Sequence, residues 1–359
     1  MDAARTSSDL PASWQAGLPD RIDTVEELEE FLGRPTKEVV ELFGRLEGDL
    51  AIVGGAGKIG PSLTAMACRA RQQAGTDRKI MVIDRFPDPS VCEALQRLGA
   101  QTVRADLLDP DAVSALPAAE NVVYMVGMKF GTSDQPALTW AVNSLIPAYV
   151  ARRYRDSRMV AFSTGCVYEL VPTSSSGSVE SDPLTPPGEY SNSCVARERV
   201  LEYCCSTYGT KMVLLRLNYS VEMRYGVLVD LAEDVLAGRK VDLGMGYFNV
   251  IWQGDVSAAV LRLLEHAACP ALAINLTGAE KLSLRQVAQR LGELMGKKVR
   301  FTGREADTAL LSDASAARKL LGEPTVPIDQ VLEWTARWVA AGGRTLGKPT
   351  HFQTRDGKY

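Results

Sequence analysis

The sequence predicts an α/β protein with a doubly wound parallel sheet and a smaller C-terminal lobe. From Asp49 onward, short apolar segments alternate with amphipathic ones, which is the pattern of parallel strands joined by crossover helices. A glycine-rich turn follows directly after the first apolar segment, as in doubly wound folds. After Asn218 the alternation loosens, so the rest of the chain is expected to add a separate lobe.

The composition is that of an ordinary globular protein. Of the 359 residues, 46% are hydrophobic and 23% are charged, which excludes a wholly disordered chain. The formal net charge of −4 gives no basic footprint for nucleic acid or for anionic lipid. No apolar run approaches the length of a membrane helix, and residues 1–20 lack the order of a secretory signal. We therefore expect a cytoplasmic protein with no nucleic-acid or membrane partner.

Cysteine and histidine usage argues against a disulfide framework and against a metal site. The seven cysteines are odd in number and scattered through apolar stretches, which indicates reduced, buried thiols. The chain has two histidines and no Cys-x-x-Cys pair, so no metal is expected.

Residues 1–48 are predicted to form a helical extension ahead of the sheet. Residues 1–20 are a polar lead-in. Thr24 and Glu27 have the spacing of a capping box at the start of a short amphipathic helix, and a second amphipathic stretch covers residues 37–46. Such helices can dock on the main domain or on a second subunit, and the sequence does not choose between them.

Residues 49–217 carry the regular alternation and are assigned to the sheet domain. The strands are predicted at 50–53, 79–83, 102–104, 121–126, 158–162 and 212–217, and the helices at 59–74, 90–98, 136–155 and 190–208.

Residues 218–345 have shorter elements and are expected to form the smaller lobe, partly interleaved with the sheet. One of them is a helix at 283–295 that begins with a capping-box spacing. Residues 346–359 form a tail. The tail could fold back over a cleft at His351, but we do not expect it to do so.

The glycine-rich turn is residues 54–60 (GGAGKIG), placed between a strand and a helix. This context turns a weak glycine motif into a strong prediction of a dinucleotide site. Glycines permit positive φ and let the backbone approach a pyrophosphate, whose charge is held by free N–H groups and the helix dipole. The glycines fit both Gly55-x-Gly57-x-x-Gly60 and Gly54-x-x-Gly57-x-x-Gly60, and the loop alone does not decide.

The residue after the second strand indicates which dinucleotide binds. Asp84 lies 24 residues after Gly60, where a carboxylate accepts hydrogen bonds from the adenosine ribose and repels a 2′-phosphate. This predicts NAD. Arg85 leaves NADP open as the alternative, because a guanidinium suits that phosphate. Asp106 and Leu107 follow the third strand, where Asp106 either meets the adenine amino group or caps a helix.

A second set of motifs surrounds the end of the fifth strand. Residues 163–168 (STGCVY) end that strand, and Tyr190 stands 26 residues after their threonine at the head of a helix. Together with the glycine loop, Asp84 and Asp255 in the run QGDV, these residues resemble the extended short-chain dehydrogenase/reductases, the NAD-dependent sugar epimerase/dehydratase family. The resemblance covers about residues 49–340.

The resemblance implies a seven-stranded Rossmann-type sheet that binds NAD, so that residues 49–217 are the NAD-binding domain and residues 218–345 the substrate-binding lobe. It implies the glycine spacing of Gly54, Gly57 and Gly60. It also places Thr164 and Tyr190 at the catalytic positions of the family.

Three further segments carry family motifs. Residues 126–129 are similar to the Ala-Gly-Leu-Lys run of UDP-galactose 4-epimerases, where the lysine contacts the cofactor. Asn143 matches an asparagine near the family's active site, and Asn218 ends an Arg-x-Asn motif that leads into the lobe. The predicted cofactor-binding residues are Gly54, Gly57, Lys58, Ile59, Gly60, Asp84, Arg85, Asp106, Leu107, Lys129 and Tyr190, and the predicted substrate-binding residues are Thr164, Asn143 and Asn218.

The implied chemistry is hydride transfer at a carbinol carbon. The hydroxyl proton needs a base while the nicotinamide takes the hydride, and Tyr190 is the candidate base, with Thr164 at the same substrate oxygen. The family has a lysine four residues after this tyrosine, whereas this chain has Cys194, which we interpret as a packing residue rather than a reactive thiol. Either the nicotinamide ring, Lys129 or Arg197 supplies the missing positive charge, or the tyrosine is a poor base.

The predicted function is an NAD-dependent epimerase or dehydrogenase that acts on a sugar, a nucleotide-sugar or a related polyol. Gly165 and Cys166 follow the threonine where dehydratases of the family carry acidic residues, which argues against dehydration. One alternative, motivated by Cys194, is an NAD-binding regulatory or scaffold protein with impaired catalysis. Another is an NADP-linked carbonyl reductase. By analogy with the family, a homodimer is expected through helices 136–155 and 190–208.

Overall fold

The computed structural model describes residues 17–129, 131 and 134–358, so most of the predicted polar lead-in lies outside it. The α-helices are α1 (Val25–Leu32), α2 (Lys37–Arg45), α3 (Gly60–Ala74), α4 (Pro89–Arg97), α5 (Pro110–Ser114), α6 (Pro136–Trp140), α7 (Ile146–Arg153), α8 (Glu189–Tyr208), α9 (Val227–Leu236), α10 (Gln253–Leu263), α11 (Leu284–Met295), α12 (Ser315–Leu321) and α13 (Ile328–Ala340). The strands are β1 (Leu50–Val53), β2 (Ile80–Asp84), β3 (Gln101–Arg104), β4 (Asn121–Tyr124), β5 (Arg158–Thr164), β6 (Val171–Pro172), β7 (Lys211–Leu217), β8 (Ser220–Val221), β9 (Lys240–Asp242), β10 (Tyr247–Phe248), β11 (Ile251–Trp252), β12 (Leu272–Leu276), β13 (Leu282–Ser283), β14 (Arg300–Thr302) and β15 (Thr308–Ala309).

Seven parallel strands form the central sheet, in the order β12-β7-β5-β4-β1-β2-β3. This arrangement confirms the predicted fold class. The first strand has β2 on one side and β4 on the other, so the chain reverses its direction of travel across the sheet at β1. In open α/β sheets the crevice outside the carboxyl ends of the strands at such a switch point is where ligands bind.

Helices cover both faces of the sheet, which explains why its central strands are continuously apolar. All four residues of β1 and of β4 are buried. Side chains of α2, α3, α10 and α12 pack on one face, and those of α5, α7 and α8 pack on the other. A parallel strand buried on both faces needs apolar residues at every position rather than at alternate ones.

The seventh strand comes from the C-terminal part of the chain. β12 pairs in parallel with β7, although it follows the predicted domain boundary at Leu217 by more than fifty residues. The lobe around α9, α11 and α13 has its own apolar cluster. The boundary stays a prediction, with one strand of the range 218–345 lying in the sheet and the rest mostly in the lobe.

The N-terminal extension packs on its own chain. Residues of α2 belong to the apolar cluster of α3 and α10. The ring of Phe31 at the end of α1 lies 5.7 Å from Trp252 and 5.4 Å from Trp334. Trp334 in turn donates from its indole to the carbonyl of Pro19 at 3.0 Å. The two helices of the extension therefore connect the sheet domain and the lobe along one side.

The long helix predicted at 136–155 is interrupted. A π-helical turn, Ala141–Leu145, separates α6 from α7. Pro147 in the first turn of α7 has no N–H to donate to the carbonyl of Asn143, four residues before it, and the interruption lies just ahead of this proline. The sequence pattern showed the apolar face of this segment and not the π-helical turn that contains Asn143.

The described residues also bear on three expectations from composition. No helix among them is long and apolar enough to cross a membrane. Within the same part of the chain, no group of three or more His, Cys, Asp or Glu side chains could hold a metal ion. The expected burial of the cysteines is wrong for Cys269, which is exposed because it lies in the surface loop before β12, and Cys92 is only partly buried.

Candidate active site

The glycine turn lies between β1 and α3 and leaves room for a ligand. Gly54 has a φ of +85°, and a Cβ on Gly60 would lie 2.0 Å from the carbonyl oxygen of Gly55, so these positions need glycine to form the turn itself. A Cβ on Gly57 would meet nothing closer than 3.6 Å. Glycine at position 57 is thus not required by the protein's own packing, which fits a turn that admits a pyrophosphate.

The first turn of α3 is open to an anion. Its N-cap, Ile59, makes no side-chain capping hydrogen bond, and the first turn contains no acidic residue. The N–H groups and the positive end of the helix dipole are therefore not neutralised by a protein carboxylate. Lys58 and Ile59, both predicted to contact the cofactor, form the entry to this helix.

Asp84 closes the far side of the turn. Its carboxylate accepts hydrogen bonds from the backbone N–H of Ala56 at 3.0 Å and of Arg85 at 2.7 Å. The Arg85 side chain is exposed, and so is Asp106, whose carboxylate accepts from the N–H of Leu108 at 3.0 Å. Asp84 is thus fixed beside the glycine turn at the end of β2, where the sequence predicted a ribose contact.

Thr164 and Tyr190 meet at the carboxyl end of β5. Thr164 ends that strand and Tyr190 lies in the first turn of α8, and their side chains share a hydrogen bond. The Thr164 hydroxyl also accepts from the backbone N–H of Cys166 at 3.1 Å. Two hydroxyl groups from different elements therefore converge beside the switch point of the sheet. The resemblance to the family implies catalytic roles for both, which stay a prediction.

Burial makes the phenol of Tyr190 a weaker acid than an exposed tyrosine. Desolvation raises its pKa well above the usual range, the neighbouring Cys194 and Cys166 raise it further, and Arg197 opposes them. Cys194 is fully buried next to Val167, and burial raises the pKa of its thiol to about 11. A neutral, packed thiol thus lies where the family sequence pattern has an ammonium group.

Two cations lie near Tyr190 instead. The guanidinium of Arg197, two turns further along α8, is buried and donates to the carbonyl of Phe162 at 3.0 Å and to Oδ1 of Asn143 at 2.5 Å. The Lys129 ammonium, in the loop after β4, lies 6.0 Å from the centroid of the Tyr190 ring. Both residues were named from the sequence as possible sources of the missing charge, and the structure brings both to the site.

The Asn143 amide is fully used inside the protein. Its oxygen accepts from the N–H of Met128 at 2.9 Å as well as from Arg197, and its nitrogen donates to the Met128 carbonyl at 3.0 Å and to the Ser193 hydroxyl at 2.9 Å. These bonds hold the loop after β4 against α8. The substrate contact expected of Asn143 stays a prediction.

The amide of Asn218, unlike that of Asn143, is not fully hydrogen-bonded by the described residues. It is 2% exposed at the end of β7, and its side-chain nitrogen has no hydrogen-bond partner among the described residues. A Cβ on Gly165 would lie 3.0 Å from the Asn218 side chain, so the amide lies beside the residue that follows Thr164. A buried amide donor without a partner is costly, which fits a group whose partner is a ligand.

A buried ion pair that the sequence analysis did not identify holds α8 to the sheet. The guanidinium of Arg216 binds the carboxylate of Glu198 at 2.7 Å, with side chains 4% and 0% exposed. Glu198 also accepts from Ser163, and Arg216 donates to the Tyr168 hydroxyl at 2.7 Å. Because these residues flank Thr164 and follow Tyr190 along α8, the network fixes the relative position of the two hydroxyl groups. Arg216 was noticed only as part of its motif.

Lys58 also reaches beyond the glycine turn. Its ammonium lies 3.3 Å from the ring centroid of Tyr225, in the loop before α9. Burial, with Lys129 and Lys348 adding to it, lowers the pKa of Lys58 to about 7. Neither Tyr225 nor Lys348 was predicted as a site residue.

Comparisons with known proteins agree with this geometry. The model of the NAD dependent epimerase/dehydratase family matches residues 50–275. No curated protein matches the chain. Similar solved structures include a UDP-glucose 4-epimerase of Thermotoga maritima with UDP-glucose, which is 20% identical, has a TM-score of 0.68, and aligns over 82% of this chain and 99% of its own.

Two further solved structures are similar to the chain. A UDP-glucose 4-epimerase of Thermus thermophilus in complex with NAD is 23% identical, with a TM-score of 0.64, over 80% of this chain and 98% of its own. A UDP-glucuronic acid 4-epimerase of Bacillus cereus in complex with UDP-glucuronic acid and NAD is 18% identical, with a TM-score of 0.66, over 82% and 99%. The family match covers more than half of the sequence and confirms the expectation of an NAD-dependent enzyme. The chain belongs to the NAD-dependent epimerase/dehydratase family.

Proposed function

We propose that this enzyme is an NAD-dependent epimerase or dehydrogenase that oxidises a carbinol carbon of a sugar, a nucleotide-sugar or a related polyol. The observation that carries this proposal is the hydrogen-bonded pair of Thr164 and Tyr190 at the carboxyl edge of the sheet. Four solved structures with similar folds are named as epimerases of UDP-glucose or UDP-glucuronic acid, which supports a sugar-like substrate.

The residues fit the cofactor and the base that this reaction needs. The open position at Gly57 and the first turn of α3 would hold the pyrophosphate of NAD, and Asp84 would face the adenosine ribose. When bound, NAD accepts the hydride from the carbinol carbon. Tyr190 takes the hydroxyl proton, while Thr164 holds the same oxygen, so that a carbonyl group forms at the substrate.

We further propose that Arg197 and Lys129 replace the missing ammonium group of the family pattern. Arg197 lies below Tyr190 in the same helix and lowers the pKa of the phenol. Lys129 approaches the face of the Tyr190 ring from the loop after β4. A positive charge near the phenol favours the tyrosinate that acts as base. Asn143 and Ser193 position these groups and need not touch the substrate.

Turnover of a substrate panel tests the assignment. UDP-glucose, UDP-glucuronic acid and simple polyols would be incubated with the enzyme and NAD, with the products separated by chromatography and NADH followed at 340 nm. An epimerase gives a new stereoisomer without net NADH, whereas a dehydrogenase gives both an oxidised product and NADH.

Tyr190→Phe and Thr164→Val are expected to lower kcat by about a hundredfold or more, as loss of a general base does, while NAD affinity is retained. Tyr208→Phe, at the exposed end of the same helix, is the matched control and should be fully active. Full activity of Tyr190→Phe would overturn the proposal. Tight NAD binding without turnover of any substrate would favour the regulatory alternative.

The NADP-linked reductase alternative has a direct test. Asp84 is fixed by two backbone N–H groups, whereas the Arg85 side chain is exposed. We expect NAD to bind more tightly than NADP, and Asp84→Ser to narrow the difference because it removes the repulsion of a 2′-phosphate. Tighter binding of NADP to the unaltered enzyme would contradict the role given to Asp84.

We also propose that the enzyme is a homodimer. Large apolar side chains are exposed on the helices expected to meet: Leu138 is 39% exposed, Leu145 is 48% exposed and Tyr203 is 66% exposed. Apolar side chains exposed on neighbouring helices are typical of a contact surface. Sedimentation equilibrium should give a dimer, and Leu145→Glu should shift it toward monomer. A wild-type monomer at all concentrations would disprove the dimer.

A further inference from the structure

Two cysteines lie against each other at the end of α8 that is remote from Tyr190. Cys205 is in the last turn of that helix, and Cys269 is in the loop before β12. The thiol of Cys269 donates to the carbonyl oxygen of Cys205 at 3.4 Å, and the thiol of Cys205 donates to the carbonyl oxygen of Ala268 at 3.8 Å. The two thiols also share a hydrogen bond with each other, and both are free cysteines.

Backbone hydrogen bonds hold the two segments in this position. The carbonyl of Cys205 also accepts from the N–H of Gly209 at 2.8 Å, where α8 ends. Ala268, the residue before Cys269, exchanges both of its backbone hydrogen bonds with Met212 in β7, at 2.8 Å and 3.3 Å. Each cysteine side chain thus reaches the backbone of the other segment while both segments are fixed. A disulfide at this place would join two segments that the fold already holds together.

The two thiols differ in their access to solvent. Cys269 is exposed, whereas Cys205 is 1% exposed. Burial and the contact with Cys269 raise the pKa of the Cys205 thiol to about 12, so almost none of it is thiolate at neutral pH. A solute can therefore reach one sulfur atom, and the second lies directly behind it. This is the arrangement of a reactive thiol with a resolving thiol.

We propose that Cys205 and Cys269 form a reversible redox site, which a peroxide converts from a dithiol into a disulfide. The bond joins the end of α8 to the loop that leads into the edge strand β12. Tyr190 lies fifteen residues before Cys205 in the same helix. This corresponds to about 22 Å along the helix axis at about 1.5 Å of rise per residue. The redox site is thus separate from the candidate active site, and the proposal does not depend on the proposed function.

The oxidation takes two steps. The thiolate of Cys269 attacks one oxygen of hydrogen peroxide and the O–O bond breaks, which leaves a sulfenic acid on Cys269 and a hydroxide that takes up the thiol proton to become water. The sulfur of Cys205 then attacks the sulfenic sulfur. The S–S bond forms, the S–O bond breaks, and the departing hydroxide takes the proton of Cys205 as a second water. Two electrons pass from the two sulfur atoms to one peroxide.

Mapping of the thiols in the whole enzyme tests the site. The enzyme would be treated with hydrogen peroxide, alkylated in denaturant and digested with trypsin without reduction. We expect two of the seven cysteines to escape alkylation, and peptides 200–211 and 263–281 to be linked with the loss of two hydrogen atoms. Dithiothreitol should restore both thiols.

Variants assign the sulfur atoms, because Cys204 lies in the same peptide as Cys205. Cys205→Ser should prevent the crosslink, and Cys204→Ser is the matched control at the neighbouring buried position and should leave it intact. Cys269→Ser should slow the loss of the Cys205 thiol in peroxide at least about tenfold, since the buried thiol is a poor nucleophile by itself. Cys92→Ser, which removes a partly buried cysteine elsewhere, should leave the crosslink unchanged.

Three results would overturn the redox site. They are alkylation of both Cys205 and Cys269 after peroxide treatment, a crosslink between two copies of the chain through Cys269, and a crosslink that survives in Cys205→Ser. The peptide map of the unaltered enzyme decides the question even where a serine variant fails to fold.

Discussion

Removal of the Arg197 charge should move the pH–rate profile to higher pH. Arg197 lies seven residues after Tyr190 in α8. At about 1.5 Å of rise per residue the two Cα atoms are about 10 Å apart along the helix. We take about 10 Å as the separation of the Tyr190 phenolate and the Arg197 guanidinium as well. Two unit charges at that distance interact by about 1.7 kcal/mol at an effective dielectric constant of about 20. Since about 1.4 kcal/mol corresponds to one pKa unit, Arg197→Met should raise the pKa of Tyr190 by about one unit.

The expected observation is a shift of the ascending limb of kcat/KM by about one pH unit toward higher pH, and about tenfold lower activity at neutral pH. Arg197→Lys is the matched control, because it keeps the charge and should leave the limb close to its original position. Thermal unfolding and NAD affinity of both variants would show that the loss of the bonds to Phe162 and Asn143 has not disrupted the site. An unshifted limb in Arg197→Met would refute the electrostatic role of this residue.

Two other predictions follow from the geometry. Gly57→Ala should fold normally but lose NAD affinity at least tenfold by calorimetry, since its methyl group fills only the space of the ligand. Gly60→Ala should fail to fold, because its Cβ would lie 2.0 Å from a backbone oxygen. The reverse result would contradict the binding of the pyrophosphate at the glycine turn. Glu198→Gln should lower the free energy of unfolding by about 3 kcal/mol in urea titrations, because it strips a buried guanidinium of its partner, and a change below about 1 kcal/mol would contradict this account.

Much of the fold followed from patterns that are local in the sequence. A parallel strand covered on both faces must be apolar at every position, so β1 and β4 were visible as short apolar runs. The glycine turn was equally visible, because its conformation excludes side chains at Gly54 and Gly60. That Thr164 and Tyr190 lie together was implied by the resemblance to the family, which rests on motifs that can be read in the sequence.

Other features of the site were not accessible from local patterns. The π-helical turn before Pro147 contains Asn143, which accepts a hydrogen bond from Arg197, and no periodicity in the sequence signals this turn. The partner of Glu198 lies on another strand, and a charged residue in an amphipathic helix looks solvated until its neighbours are known. From the sequence alone, the two helices of the N-terminal extension could pack equally well on this chain or on a second subunit.

The sequence by itself determined the sheet, the glycine turn and the cofactor class, because each depends on residues a few positions apart or on the order of strands and helices. Its resemblance to the family also pointed to the pair of hydroxyl groups. Only the tertiary structure decided what surrounds that pair: a buried arginine in place of a lysine, and a C-terminal tail whose Thr350 carbonyl accepts a hydrogen bond from Lys129, 221 positions earlier in the chain. Contacts between distant side chains depend on how the whole core packs, and no local pattern of residue types encodes them.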